Sequence, residues 1–452
     1  MASLPWVVYA EKASRASEIV YEAACRYAVT PPELVIGGRV PEKVNLIHVG
    51  PHPAVLPPEN GVAIRSLASA DGLQTIVVTG DGEAMLLYAA VEFYGRYIPY
   101  AREAHRHGPD VYYFRPLFEG EMPPYRYEAQ PRFENRGIWT WGHVIYDYKK
   151  LIDRMVFLKL NTLTVWNDHA PLNVRDVVAY AHENGVKIIW GFSWGWDTST
   201  DAHDVADLER LSDSIVAVYR EEYASAGGDG IYFQSFTETN EEKIGDILIA
   251  DAVTRLVNRT AGRILSLSPG LHIQMGLHAT SVKKKLAYIG KVDPRVSIVW
   301  EDCGAFPFHY MPGNIEGFEE TEAFTDEIHS LRDGGFGAVL KGLICLDWGK
   351  FRHLPAAISI GTASAEKLEE VAEAKREIWR YVQTRWIRNA RYAHRMLGHF
   401  GRSDELAFLL EDGALEHDIF FPAALAAEML WSDRPVEELL TDVGSMPYVD
   451  FA

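Results

Sequence analysis

From about residue 132 the chain predicts an α/β fold built as a (β/α)8-type barrel, irregular at its closing strands. Three observations predict it. Short apolar runs alternate with amphipathic stretches, the pattern of a parallel sheet covered on its outer face by helices. Seven such strands can be picked out in succession, close to the number that closes a barrel. No glycine-rich phosphate loop follows the first strand, which puts a doubly wound sheet second.

The elements follow in order. Residues 4–10 read as a strand, and residues 12–28 as an amphipathic helix with Ile19, Ala23 and Tyr27 at helical spacing. The β-branched runs 44–49 and 73–79 and a helix over 83–97 complete a compact N-terminal α/β unit, residues 1–127. The proline-rich stretch Pro116 to Pro131 reads as a linker. Barrel strands are expected at 137–141, 161–166, 187–192, 230–236, 271–277, 296–300 and 338–344. Helices are expected between them at 148–160, 174–184, 204–224, 239–265, 281–290 and 318–332. The eighth strand is not evident, and residues 356–361 are a weak candidate. The barrel domain is thus set at 128–363. Residues 364–452 read as a helical region packing against the barrel or a second subunit, through which a homo-oligomer would form.

A chain of 452 residues, 48% hydrophobic and 24% charged, is ordinary for a globular enzyme. Its net charge of −19 argues against nucleic acid or an anionic membrane surface as partner. Three scattered cysteines give neither a disulfide framework nor a zinc spacing, and no metal or other cofactor is expected. With no apolar run of membrane length and no basic region leading into an apolar one at the N-terminus, a cytoplasmic location is expected.

Eight of the 12 tryptophans fall in short strings where apolar runs give way to polar and acidic residues. They are Trp139 and Trp141, Trp166 before Asp168 and His169, Trp190, Trp194 and Trp196, Trp300 before Glu301 and Asp302, and Trp348 after Asp347. Indole rings beside carboxylates suit a sugar site, because pyranose C–H faces pack on aromatic rings while hydroxyls seek carboxylates. The plainer alternative is that each ring fills the mouth of a barrel. The expectation taken forward is that Trp166, Trp194, Trp300 and Trp348 line one cleft.

Active residues of such barrels sit at the C-terminal ends of strands, and alternate residues share a face. Tyr232, Gln234, Phe236 and Glu238 therefore share one face, as do His272, Gln274 and His278. Trp300 and Asp302 share a face in the sixth strand, and Glu301 takes the other. Lys341 interrupts an apolar strand, so it needs a buried partner or a pocket. Gln234 and Gln274 serve either substrate or a supporting hydrogen-bond network. Hydrolysis of a glycoside needs an acid for the leaving oxygen and a second carboxylate. Glu238 is assigned as the acid; Asp302, Glu301 and Asp347 all stay open for the second role. A uronic acid would need a cation, for which Lys341, Arg136 and Arg352 are available.

Pro131-Arg132-Phe133-Glu134-Asn135-Arg136-Gly137, then Leu158-Lys159-Leu160-Asn161-Thr162-Leu163 and Trp166-Asn167-Asp168, resembles the opening of the catalytic barrel in family 20 β-hexosaminidases. Thr79-Gly80-Asp81 leading into Leu86-Leu87-Tyr88 resembles the small N-terminal domain of those enzymes and of α-glucuronidases. Leu346-Asp347-Trp348-Gly349, followed by His353 and Pro355, is similar to a strand-end motif of hexosaminidase-like barrels. Hexosaminidases carry an adjacent Asp-Glu pair after the fourth strand, whereas Thr237 precedes Glu238 here. The run Gly230 to Glu238 is instead similar to that strand of family 67 α-glucuronidases. The resemblance covers roughly residues 1–360. It implies an exo-acting, inverting glycoside hydrolase that trims oligosaccharides, with Glu238 as acid and a more distant second carboxylate. A β-N-acetylhexosaminidase-like enzyme and a non-catalytic carbohydrate-binding barrel are the alternatives.

Overall fold

The computed structural model describes residues 4–69, 71–104, 116–141, 145–166, 170, 172–194, 205–235, 242–244, 246–278, 284–301, 318–343, 363–417 and 419–452. The chain divides into two compact units.

The first unit comprises the chain up to Arg132, with residues 156–159 and 437–449. Its six strands are β1 (Trp6–Ala10), β2 (Glu33–Ile36), β3 (Asn45–Val49), β4 (Val62–Ala68), β5 (Gln74–Gly80) and β6 (Arg126–Ala129). They form one sheet in the order β2-β1-β3-β5-β4-β6, parallel except for β4, which runs antiparallel to both β5 and β6. The helices are α1 (Arg15–Tyr27), α2 (Glu83–Glu92) and, after one π-helical turn, α3 (Ile98–Ala104). Ser14 starts α1 with a capping box, exchanging hydrogen bonds with Ser17. The expected linker 116–131 is in part the edge strand β6; its prolines lie outside that strand, where no ladder N–H is demanded of them. Glu92 ties the distant segments into this unit. Its buried carboxylate accepts from Lys159 Nζ at 2.7 Å and from Arg96, which also pairs with Asp442. Burial opposes the charge, but Lys159 and Arg96 overcome it and hold the carboxyl at about 2.

The second unit is a closed barrel. Its strands are β7 (Asn135–Trp141), β8 (Thr162–Trp166), β9 (Lys187–Gly191), β10 (Gly230–Gln234), β13 (His272–His278), β14 (Val296–Glu301), β15 (Phe336–Leu343) and β16 (Glu405–Leu410), all paired in parallel. A short hairpin, β11 (Lys243–Ile244) and β12 (Ile247–Leu248), stands between the fourth and fifth barrel strands. The remaining helices are α4 (Tyr148–Phe157), α5 (Val174–Glu183), α6 (Val205–Val218), α7 (Ile249–Leu267), α8 (Leu286–Ile289), α9 (Phe318–His329), α10 (Ala365–Met396), α11 (Ala414–His417), α12 (Phe421–Trp431) and α13 (Val436–Ser445). The helix expected from residue 239 starts only at Ile249, because the hairpin occupies the chain before it.

The eighth strand corrects the expected domain boundary. It is β16, inside the region read as helical, while residues 356–361 lie outside the described residues. Glu-Leu-Ala-Phe-Leu-Leu has no β-branched residue and is rich in helix formers, so local preference points away from a strand. Pairing with β15 and β7 on both sides overrides that preference. The long helix α10 is then the crossover to the closing strand, and it packs on the barrel: Trp386 is fully buried and its indole N–H donates to Gly342 O at 2.9 Å. The C-terminal region is divided further, since residues 437–449, most of α13 included, belong to the first unit.

Because Phe408 is fully buried in β16, Phe408→Ala should lower the unfolding free energy by about 3–5 kcal/mol in a denaturant titration. A loss below about 1 kcal/mol would contradict its place in a packed barrel strand.

Candidate active site in the barrel

The interior is built from alternate residues of each strand. Trp139, Trp166, Ile189, Tyr232, Val299, Val339 and Leu409 form one buried cluster. Tyr232 is its hub, with Trp139 and Trp166 edge-on at 5.5 and 5.8 Å. Next to it lies a charged group. Glu301, the last residue of β14, accepts from the Tyr232 hydroxyl and the Gln234 amide through Oε1, and from Lys341 Nζ at 2.6 Å through Oε2. Both side chains of the ion pair are wholly buried. Burial disfavours the Glu301 carboxylate, but Lys341, helped by the Tyr232 hydroxyl, outweighs it and holds its pKa below the usual value. The Lys341 ammonium also stands 5.5 Å from the Trp139 ring, a cation–π contact. His278, ending β13, is driven down to about 4 by burial and by Lys341, so it is neutral near pH 7. Gly276 makes room for this group: a Cβ there would lie 2.6 Å from Glu301 Oε1 and closer still to the Tyr232 hydroxyl.

The fates of the expected site residues differ. Gln234, Glu301, Lys341, His278, Trp139 and Trp166 converge on the barrel interior. Glu301 is thereby a poor second catalytic carboxylate: it is excluded from solvent and saturated by three donors. Lys341 is likewise spent on Glu301 and not free for a substrate carboxylate. Arg136 donates to the Phe133 and Glu134 carbonyls and stacks over Trp431, so it too is structural. The single tryptophan cleft is corrected. Trp194 stacks at 3.6 Å on Phe233, whose strand position faces away from Tyr232 and Gln234, and Trp300 meets Phe324 of α9. Both rings fill the layer between strands and helices. None of Trp139, Trp166, Trp194 and Trp300 is more than 2% exposed, so none offers the open face that a sugar needs. Glu238, Asp302, Asp347, Asp168, His169, Trp196, Trp348 and Arg352 lie outside the described residues, as does the side chain of Trp141.

Gln274 belongs to a second polar level, at the N-terminal end of the barrel. Glu405 of β16 accepts from His272 Nε2 and Ser297 Oγ, each at 2.8 Å, and from the Gln274 amide. Burial works against this carboxylate, and the His272, Gln274 and Ser297 bonds hold its pKa down. A cavity of about 410 Å³ adjoins it, lined in part by Asn135, Thr162, Thr164 and Trp139. Gln274 is therefore a supporting residue away from the C-terminal face, where barrel chemistry is done.

Reading residues 405–410 as helical also hid a group of acids at that C-terminal face. Glu411 and Asp412 leave β16, Glu416 follows on α11, and Asp147 precedes α4 beyond β7. Lys375 of α10 binds Glu411 at 3.1 Å and Asp412 at 2.6 Å. Recognising the eighth strand would have been the signal that finds them.

The class this architecture defines is a closed (β/α)8-type barrel preceded in the chain by an α/β unit. The structure of the GH20 β-N-acetylhexosaminidase from Streptomyces coelicolor A3(2) is similar with a TM-score of 0.53 at 11% identity, covering 100% of this chain and 96% of that one. The structure of CpGH84D matches at a TM-score of 0.47 and 11% identity over 76% of this chain, which spans 58% of that chain's length. No family model matches the sequence, and no curated protein does. At such identity the likeness is one of fold. Among the described residues, no helix is long and apolar enough to cross a membrane.

Lys341→Met strands the Glu301 charge and should cost about 3–5 kcal/mol, much of it recovered by adding Glu301→Leu, as read by denaturant titration of both variants. His278 gives a pH prediction. Its folded pKa lies below the ordinary 6.5, so the stability it contributes is present above 6.5 and is lost as pH falls toward about 4. His278→Gln should flatten the acid limb of a stability–pH curve over that window.

Proposed function

We propose that this chain is a glycoside hydrolase that removes terminal sugars from oligosaccharides by acid/base catalysis, with Glu238 as the general acid. The observation that carries the reading is the whole-length likeness of its two-part architecture to the S. coelicolor β-N-acetylhexosaminidase. The position of Glu238, four residues beyond the end of β10, supports the acid role, since barrel enzymes draw their catalytic groups from the C-terminal ends of strands. Glu301 is withdrawn as the second carboxylate by its ion pair, which leaves Asp302, directly after β14, and Asp347, after β15. The reading takes one of these two as the base that activates water in a single displacement. Inverting pairs stand ~6.5–9.5 Å apart with a water between them, against ~5–5.5 Å in retaining pairs.

A second reading is hydrolysis of N-acetylhexosaminides, the activity named for the S. coelicolor enzyme. Thr237 stands against it, occupying the place where the resemblance expects the Asp that orients an acetamido group. Sugar binding without turnover is the remaining outcome.

A panel of aryl glycosides, uronides and N-acetylhexosaminides tests the proposal, and binding with no turnover on any of them overturns it. Glu238→Gln should lower kcat by about 10²–10⁴ on a poor leaving group while leaving sugar binding intact. NMR of the first-formed anomer should show inversion; a retained product rejects the single-displacement scheme.

A further inference from the structure

The first and eighth barrel strands, β7 and β16, are neighbours, and in the sequence Asp147 follows the first and α11 the eighth. Glu416 of α11 connects the two exits. It is 3% exposed, and its Oε1 accepts the backbone N–H of Tyr146 at 3.0 Å. Asp147, also buried, caps the start of α4 by accepting the Lys150 N–H at 3.0 Å.

The charges around Glu416 are unbalanced. From its own side come Asp412 and Glu411, with His417 next to it on α11, where that ring lies against Trp379. From the strand-one side come Asp147, Tyr146 and the buried Tyr148, and the Tyr146 hydroxyl bonds to Asp412. From α10 comes one cation, Lys375, whose ammonium is already committed to Asp412 and Glu411. Ionising Glu416 would therefore add a buried negative charge beside Asp412 and Asp147 with no cation assigned to it among the described residues, an arrangement that burial and like charge both penalise.

We propose that Glu416 is a proton-controlled joint between the segments that follow the first and eighth barrel strands, closed while its carboxyl carries a proton and loosened when it ionises. Burial pushes this carboxyl up to about 7 against the Tyr146 N–H, with Asp412 and Asp147 adding to the rise. The sign follows from linkage. A folded value above the ordinary 4.5 means that the stability contributed by Glu416 is fully present below 4.5 and is lost as pH rises through about 7. The joint flanks the C-terminal face of the barrel but does not depend on the proposed hydrolysis, so its test needs no substrate.

The test is thermal unfolding of the full chain, of Glu416→Gln and of Asp412→Asn across pH 5 to 9, with hydrogen–deuterium exchange of residues 145–150. An amide imitates the protonated carboxyl, so Glu416→Gln should lack the wild-type fall in Tm between pH 5 and about 7 and exceed wild type above that window. Exchange at 145–150 should accelerate as pH rises from 5 through about 7, beyond the intrinsic base-catalysed rise, in wild type and not in Glu416→Gln. His399, raised by Asp326 and Glu322 in spite of its burial, adds a decline common to all three proteins, so the difference between curves is what is read. Superimposable wild-type and Glu416→Gln curves overturn the joint. If Glu416→Gln fails to fold, Asp412→Asn decides: removing one like charge should move the wild-type midpoint to lower pH, and an unmoved midpoint overturns the proposal.

Discussion

An eight-stranded parallel barrel has to fill its own centre, and this chain fills part of it with an ion pair fully shielded from water. Glu301 and Lys341, on adjacent strands, meet at 2.6 Å with no exposed surface on either side chain. Such a pair gives little net stability when complete, yet is costly to break, because either partner alone would be an uncompensated buried charge. The rest of the interior is fitted around it. Tyr232 and Gln234 occupy the remaining oxygen, Gly276 gives up its side chain to let them approach, and Trp139 lies beneath the ammonium.

The same economy explains the second polar level, where Glu405 collects donors from β13 and β14. Between the two carboxylates lie the apolar layer and its aromatic hub. Each of the two carboxylates inside the barrel is thus held by donors from other strands, as a buried charge must be. The indoles have other work. Trp194, Trp300 and Trp386 are packing residues of the outer layer, and the large buried area of an indole makes it useful there without any ligand.

Function in this architecture is located by chain exits. The strands β10, β14 and β15 all finish at one end of the barrel, with Glu238, Asp302 and Asp347 following them in the sequence, and the closing strand adds Glu411, Asp412 and Glu416 at that same end. The ion pair, the neutral His278 and the shielded Tyr232 make a fixed floor rather than a reacting group. Chemistry above such a floor gains from groups already locked by packing, which is how a barrel separates stability from reactivity.

Periodicity by itself determined most of the architecture. Seven barrel strands, most of the helices and the separate N-terminal α/β unit are legible because apolar spacing reports local geometry directly. Lys341 is likewise legible as a charge that needs a buried partner or a pocket. Other decisions needed the closed fold. Strand alternation assigns Trp300 and Glu301 to opposite faces but does not say which is inward; Lys341, 40 positions away, draws the carboxylate in and leaves the indole outside. The eighth strand carries the local preferences of a helix, and only the two open edges of β15 and β7 make it a strand. The burial and company of Glu416 follow from that closure. Long-range pairing sets dielectric surroundings and charge neighbours, and neither is encoded in the residues immediately around a site.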